Sequence, residues 1–367
     1  MEATQEKSKL DELHEDWGAA LIPVVCESCD WNYLSPSEQP LIRCPHCFQE
    51  GLTPFEPDLE ALPYAKPPEL VLPYALSQEM LEQGLITFSR GIWFAPGDLK
   101  PASLLQRTQR LFLPMWLVDA QVEARWQAEA GYDYQVVSHR EQYDQNRGGW
   151  VTQEVTETRV RWEPRLGKLQ RAYHNIPAPA LEAHDSILRE VGEFDLTKGL
   201  PYSGEEIKGW IVKLPDRSPE DVWPVAVPAF QSVAAQECRQ AMSAEHIRQF
   251  QWSAEYERQN WTLLLLPVLM TYYLDEENQV QPVIIHGQTG RIDGGRRASM
   301  KRAQRVSLLI LLAALVSFFA SLAISLAGLA FPPAAIIGGL GIVLAIVIAI
   351  SAAIPVGWVW QFNRRQA

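Results

Sequence analysis

From Val306 to Phe331, and again from Ala334 to Trp360, the sequence carries no charged residue. Each stretch exceeds the roughly 20 residues that an α-helix needs to cross the hydrocarbon core of a bilayer. Any fold open to this chain must therefore accommodate two adjacent apolar helices, over 306–331 and 334–360. Pro332 and Pro333 stand between them; proline lacks the amide proton of a helix interior, which marks the turn of a two-helix transmembrane hairpin. The competing reading, two buried helices of a soluble core, sits badly with their length and the lack of a polar face.

The flanks set the expected orientation. Arg296, Arg297, Lys301, Arg302 and Arg305 precede the first span, Arg364 and Arg365 follow the second, and the turn is uncharged. Lys and Arg beside a span resist translocation, so both ends are expected in the cytosol of an inner-membrane protein, with Trp358 and Trp360 at the interface. Small residues recur every four positions, at Ala313, Ser317, Ser321 and Ser325 in one span and at Gly341, Ala345, Ala349 and Ala353 in the other. Such stripes allow close helix approach, within the hairpin or between copies in a homo-oligomer. Neither span holds an ionisable group, the usual mark of an ion path, and a transporter is not expected.

Of the 32 Lys and Arg, seven lie beyond Gly295, where no Asp or Glu occurs. That leaves 25 basic against 44 acidic residues, a net −19, in residues 1–295. Phosphate backbones repel such a body, which disfavours a nucleic-acid partner. Residues 1–23 form an acidic segment with Glu2, Glu6, Asp11, Glu12, Glu15 and Asp16. It shows neither the basic nor the apolar region of a cleaved export signal.

Four of the five cysteines form two Cys-x-x-Cys pairs, Cys26/Cys29 and Cys44/Cys47, separated by 14 residues. That spacing is close to that of four-cysteine zinc sites, where two knuckles aim four thiolates at one ion. One structural Zn2+ held by Cys26, Cys29, Cys44 and Cys47 is expected in a zinc ribbon over residues 24–50, because so small a module has too little core to fold unaided. Redox thiols and an iron–sulfur cluster are the competing uses. His46, inside the second knuckle, reads as a surface residue. Only Arg43 is basic in the ribbon, against Glu27, Asp30, Glu38 and Glu50.

Six prolines between 51 and 73 indicate an extended linker. A helix is expected from Ser77, a suitable N-cap, to Arg90. Alternating strands follow over Arg110–Ala130, Tyr132–His139 and Trp150–Trp162. A helix is then expected over Leu181–Val191, and a helical stretch disturbed by Pro224 and Pro228 over Pro219–Met242. Strands return from His246 to Ile292. The class is α+β, with an antiparallel, sheet-rich soluble region over 74–180 and 181–295. Leu113-Pro114-Met115-Trp116 echoes Leu266-Pro267 with its neighbours; two related α+β units and coincidence are both open.

Candidate chemistry is sparse. His286-Gly287-Gln288-Thr289-Gly290 lacks the Lys-Ser/Thr of a phosphate loop and reads as a turn. His139, His174, His184 and His246 are scattered among abundant acids, and Cys238 stands alone. There is no Gly-x-Ser-x-Gly elbow and no His-Glu-x-x-His pair.

With the Cys26/Cys29/Cys44/Cys47 ribbon, the Leu113–Trp116 and Leu266–Pro267 segments, Gly287–Gly290 and the terminal hairpin together, the chain resembles bacterial membrane-anchored proteins with a TFIIB-type zinc ribbon, a group also likened loosely to primosomal protein N′. Two details depart from that pattern: Leu269 stands where a Trp matching Trp116 would fall, and neither knuckle is followed by Gly. The resemblance implies a membrane anchor working beside phage-shock-protein-A-type scaffolds in envelope stress. The expected function is a non-catalytic membrane adaptor or scaffold for protein partners. The alternatives are a membrane-tethered nucleic-acid binder and an enzyme of unknown reaction.

Overall fold

The computed structural model describes residues 9–38, 41–55, 66–144, 148–327 and 332–366; part of the expected linker and Phe331 of the expected turn lie outside them. Helix α1 (Lys9–Trp17) leads into strands β1 (Leu21–Cys26), β2 (Asn32–Pro36), β3 (Leu52–Pro54) and β4 (Leu70–Val71). Helices α2 (Gln78–Arg90) and α3 (Pro101–Gln106) precede two long strands, β5 (Gln109–Asp144) and β6 (Gly149–Pro179). After α4 (His184–Val191) come β7 (Leu200–Pro201), β8 (Ile211–Lys213), α5 (Pro219–Ala241), β9 (His246–Leu274), β10 (Val280–His286) and β11 (Ile292–Gly294). Helices α6 (Met300–Ala327), α7 (Pro332–Ser351) and α8 (Ala353–Gln366) follow.

The described strands form one 11-stranded sheet in the order β11-β10-β9-β5-β8-β2-β1-β3, with β6 beside β5, β4 beside β9 and β7 beside β4. Only β4–β9 and β5–β8 are parallel pairs, so the sheet is antiparallel-rich, as the alternating segments predict. Strand β5 is its hub. One edge pairs with β9 from Gln109 to Gly131; the other pairs with β8 at Leu111 and Phe112 and then with β6 from Met115 to Asp144. The two Leu-Pro segments are antiparallel neighbours, with Phe112 opposite Pro267 and Leu113 opposite Leu266.

Burial explains the change of sequence pattern along β5. At its start both faces are covered. Phe112 packs with α2 residues Leu85 and Phe88 on one side, while Leu111, Leu113, Met115 and Leu117 pack with Leu181, Val191 and Phe48 on the other. A strand buried on both faces reads as a continuous apolar run. Further along, only the face under α5 is buried, by Val118, Ala120, Val122 and Ala124 against Val222, Ala226, Phe230 and Ala234. Strict alternation results. Three strands therefore continue outward as a blade, and beyond Gly131, where β9 begins opposite at His246, only the β5–β6 hairpin remains as an arm.

Helix α5 runs unbroken through Pro224 and Pro228. Its buried positions fall every fourth residue, from Val222 to Cys238, and both prolines lie on the exposed side. There the carbonyls that the missing amide protons would have satisfied can meet water. Ser77 caps α2 as expected, its hydroxyl accepting from the Met80 amide at 3.2 Å.

The apolar helices α6 and α7–α8 lie side by side, and each is long and apolar enough to cross a membrane. Their buried seam is Ser307, Ala314 and Ser321 on one side and Gly338, Ala345, Ala352 and Val359 on the other. The buried repeat is seven residues, not the four of the sequence stripes, of which Ser321, Ser325, Gly341 and Ala345 meet across the contact while Ala313 and Ala353 are exposed. A straight helix drifts away from its neighbour unless the contact repeats about every 3.5 residues, which selects the heptad set. A Cβ at Gly338 would run into the Ser325 backbone. The break at Ala352 has a local cause: Pro355, one turn on, has no amide proton for the Ser351 carbonyl.

The foot of the hairpin is bound to the soluble body. Ser299 caps α6 by accepting from the Arg302 amide at 3.0 Å, and Glu276, in the β9–β10 turn, accepts from Ser299 Oγ and, at 2.7 Å, from the Lys301 amide. Asn363 of α8 closes a two-way bond with the Ala298 backbone at 2.8 and 3.0 Å.

Candidate metal centre

The two cysteine pairs sit at equivalent points of two similar turns. In the first, the Asp30 amide donates to the Cys26 carbonyl at 2.9 Å and the Cys26 amide donates to the Trp31 carbonyl at 3.0 Å. In the second, Phe48 donates to Cys44 at 2.9 Å and Cys44 donates to Gln49 at 3.0 Å. Asp30 (φ 59°) and Phe48 (φ 58°) both adopt the left-handed conformation, where glycine would be free of strain. The knuckles thus keep the geometry that a following Gly would favour, without the Gly.

Each turn presents two sulfurs, and the turns face each other. Cys26 Sγ lies 3.6 Å from Cys47 Sγ, and Cys29 Sγ lies 3.6 Å from Cys44 Sγ. All four sulfurs fall within 4.8 Å of one another. Tetrahedral bonds of about 2.3 Å from sulfur to a metal place the sulfurs about 3.8 Å apart, so the cluster fits a single four-coordinate ion. The thiols themselves are uneasy in this crowd. Burial pushes Cys29 up and Cys47 up to about 11. Burial also opposes ionisation of Cys26, but the Ser28 backbone hydrogen bond, aided by Cys47 and Cys29, brings that thiol below its ordinary value. A cation at the centre is what lets all four ionise together.

The surroundings come from far along the chain. Strand β8 pairs with β2, which sets Lys213 opposite Tyr33. The Lys213 side chain is fully buried, and its Nζ donates to Asp216 Oδ1 at 2.5 Å and to the Leu214 carbonyl at 2.8 Å. The same ammonium lies 5.2 Å from the centre of the Trp31 ring, which stacks on His46 at 3.9 Å. Burial pushes Lys213 down, while Asp216, Cys29 and Cys44 oppose that shift. Tyr33 Oη lies 3.1 Å from Cys44 Sγ, and its burial drives the phenol far upward. A divalent ion with four thiolates carries net charge −2, so a buried ammonium nearby offsets part of that charge. Gln109 at the start of β5 donates to the Arg43 carbonyl at 3.3 Å, and Phe48 packs on Tyr272 at 4.7 Å, docking the second knuckle on the sheet.

The other sequence candidates stay apart. His246 pairs with Asp133 at 2.9 Å on the blade, His174 with Asp119 at 3.4 Å, and Cys238 lies on the buried face of α5. His286 is buried, and its Nδ1 accepts from the Gln288 and Thr289 amides at 3.1 and 3.4 Å, so it organises the turn that the Gly-bearing segment predicts. Trp223 of α5 and Trp116 and Trp261 of the sheet pack edge to face through Trp261, with ring centres 6.2 Å apart. Lys213 was the residue that motif reasoning missed. Its signal is a lone lysine inside the apolar run Trp210-Ile211-Val212-Lys213-Leu214, an uncommon place for an ammonium without a partner. No family model, curated protein or solved structure matches the chain.

Proposed function

We propose that this chain is a membrane-anchored zinc-ribbon adaptor of the inner membrane, with its soluble body on the cytosolic side. Zinc suits four thiolates in a closed tetrahedron, and with every position taken by protein the ion is structural. Chain purified without added metal is expected to carry one zinc per molecule by elemental analysis; iron with visible charge-transfer absorption would overturn that assignment. The arginine collar around the hairpin supports the orientation.

One observation carries the adaptor reading. Strand β5 is 36 residues long, which at about 3.3 Å per residue is on the order of 100 Å, and among the described residues its far end pairs with β6 alone. Such a blade offers extended surface, as recognition does, in place of an enclosed cavity. The resemblance to ribbon-bearing membrane proteins nominates a phage-shock-protein-A-type scaffold as the first partner to test. From solubilised membranes, wild-type chain is expected to recover that scaffold, and a chain whose arm is trimmed at Asp133 and Val160 is expected to lose it at equal abundance. Equal recovery by both, or by neither, would overturn the reading.

A further inference from the structure

The segment between α2 and α3 lies about 200 positions before the hairpin foot, yet the fold sets it there. Phe94 takes a left-handed conformation (φ 58°), which a bulky side chain adopts only when its surroundings enforce it. The enforcing contacts are on the hairpin: the Ser299 amide donates to the Phe94 carbonyl at 2.7 Å, and the Phe94 ring lies 6.3 Å from Trp358. This turn drives Trp93 outward, 69% exposed and 5.7 Å from Trp358. Trp93 is therefore at the same depth as Trp358, a residue at the cytosolic end of the second span. An indole exposed beside the end of an apolar span is in the environment tryptophan prefers.

Arginines dominate around it, while the two carboxylates of the same region, Asp98 and Glu276, are engaged by Arg107 and by Ser299 and Lys301. Arg302 lies against Gly97, Arg296 sits over Phe88 at 5.0 Å and Arg364 over Trp360 at 5.4 Å. None of these three guanidinium groups has a carboxylate partner among the described residues, whereas Arg107 and Arg43 in the body are paired at 2.5 and 2.6 Å. We infer that the 91–100 loop and the hairpin foot form one surface that docks on the bilayer, with Trp93 among the head groups and Arg296, Arg302 and Arg364 on anionic phospholipid. The occupant is lipid because the surface is continuous with the spanning helices and opposite in charge to such head groups. This rests on the membrane-anchored reading and adds that the body is clamped to the lipid surface, not swung on a tether.

Full-length chain is reconstituted into phosphatidylcholine bilayers, with or without phosphatidylglycerol, that carry bromine near the head groups to quench nearby indoles. Of the 13 tryptophans, Trp93, Trp358 and Trp360 are the ones placed at the membrane, so W93F and W360F are each expected to lose about a third of the quenchable emission. Phosphatidylglycerol is expected to increase the Trp93 share, the double variant Arg296→Gln, Arg302→Gln to remove that increase, and inorganic phosphate to leave it unchanged. If W360F loses its share and W93F does not, the loop stands in water and this inference fails while the anchor stands. If neither loses emission, the anchor itself fails. A Trp93 share indifferent to phosphatidylglycerol, or reduced by free phosphate, overturns recognition of anionic lipid.

Discussion

Two extremities of the sheet, the β1–β3 edge and the β5–β6 branch, are finished in opposite ways. At one end the ribbon strands β1, β2 and β3 extend the sheet past β8 and fold back around four sulfurs, with Cys26, Tyr33, Cys44 and Phe48 almost wholly buried. At the other, the β5–β6 arm runs past the last β9 pair with Tyr134, Val137 and Trp150 largely exposed. A two-stranded hairpin alone is marginal in water, and it persists when joined to more strands or a cross-link. The ribbon has four clustered sulfurs that a metal would cross-link, and a buried counter-charge. Past its root, where Asp133 meets His246 and Glu245, the described part of the arm rests on the pairing of its two strands. The contrast separates an end built for permanence from one left open to solvent, and it orders what mutation should do.

The largest effect falls on the metal. Structural four-thiolate zinc contributes apparent binding energies of about 10–16 kcal/mol at neutral pH, so Cys44→Ser is expected to release the ion and open the ribbon. Amide exchange protection should vanish over 21–54 while the blade under α5 keeps its own. Acid is expected to act in the same direction, because protons compete for the thiolates. If the ribbon amides stay protected without metal, its permanence has another source and the contrast dissolves.

Lys213→Met tests the counter-charge. Removing one member of a buried ion pair costs about 3–5 kcal/mol; Asp216 keeps 24% of its side chain exposed, which lowers the expectation to about 2–3 kcal/mol. A fall in the urea midpoint together with faster zinc loss to a chelator is expected. A fall in midpoint with unchanged zinc loss would mean that Lys213 holds β8 to β2 and has no bearing on the ion.

A smaller change sharpens the comparison from the other side. Asp30→Gly relieves the positive φ at the first knuckle and is expected to stabilise the ribbon by about 0.5–1 kcal/mol, seen as a raised melting temperature of the metal-loaded chain. The equivalent Phe48→Gly is expected to destabilise, because the Phe48 ring is buried against Tyr272. A stabilised Phe48→Gly would show that backbone strain outweighs that packing.

How much of this was legible in the sequence follows the range of the forces involved. The cysteine cluster and the two apolar helices were plain, because ligand spacing and hydropathy are local properties. The Ser77 cap and the strand alternation were legible for the same reason. The single run of β5 was not: Gly131 divided it into two expected strands, and only pairing with His246 and Trp162 across it carries the strand through. The partners of Lys213 and Trp93 were also beyond reach, since one meets the ribbon and the other the hairpin foot through contacts of long sequence separation. The heptad seam was half visible, because small residues mark close approach but the helix pitch decides which of them face inward.

The smallest effect is expected at the arm, and it is the one that would break the comparison outright. Asp133 and Val160 are directly opposed, so replacing residues 134–159 with Asn-Gly closes the hairpin by a two-residue turn suited to strand twist. The described residues among those deleted reach neither the α5 core nor the ribbon core, and surface changes of this kind stay within about 0.5 kcal/mol. A shift in melting temperature of no more than about 2 °C is expected. A large loss would mean that the arm folds back on the body or pairs with another chain to hold the blade together, and the open end would then be as structural as the ribbon.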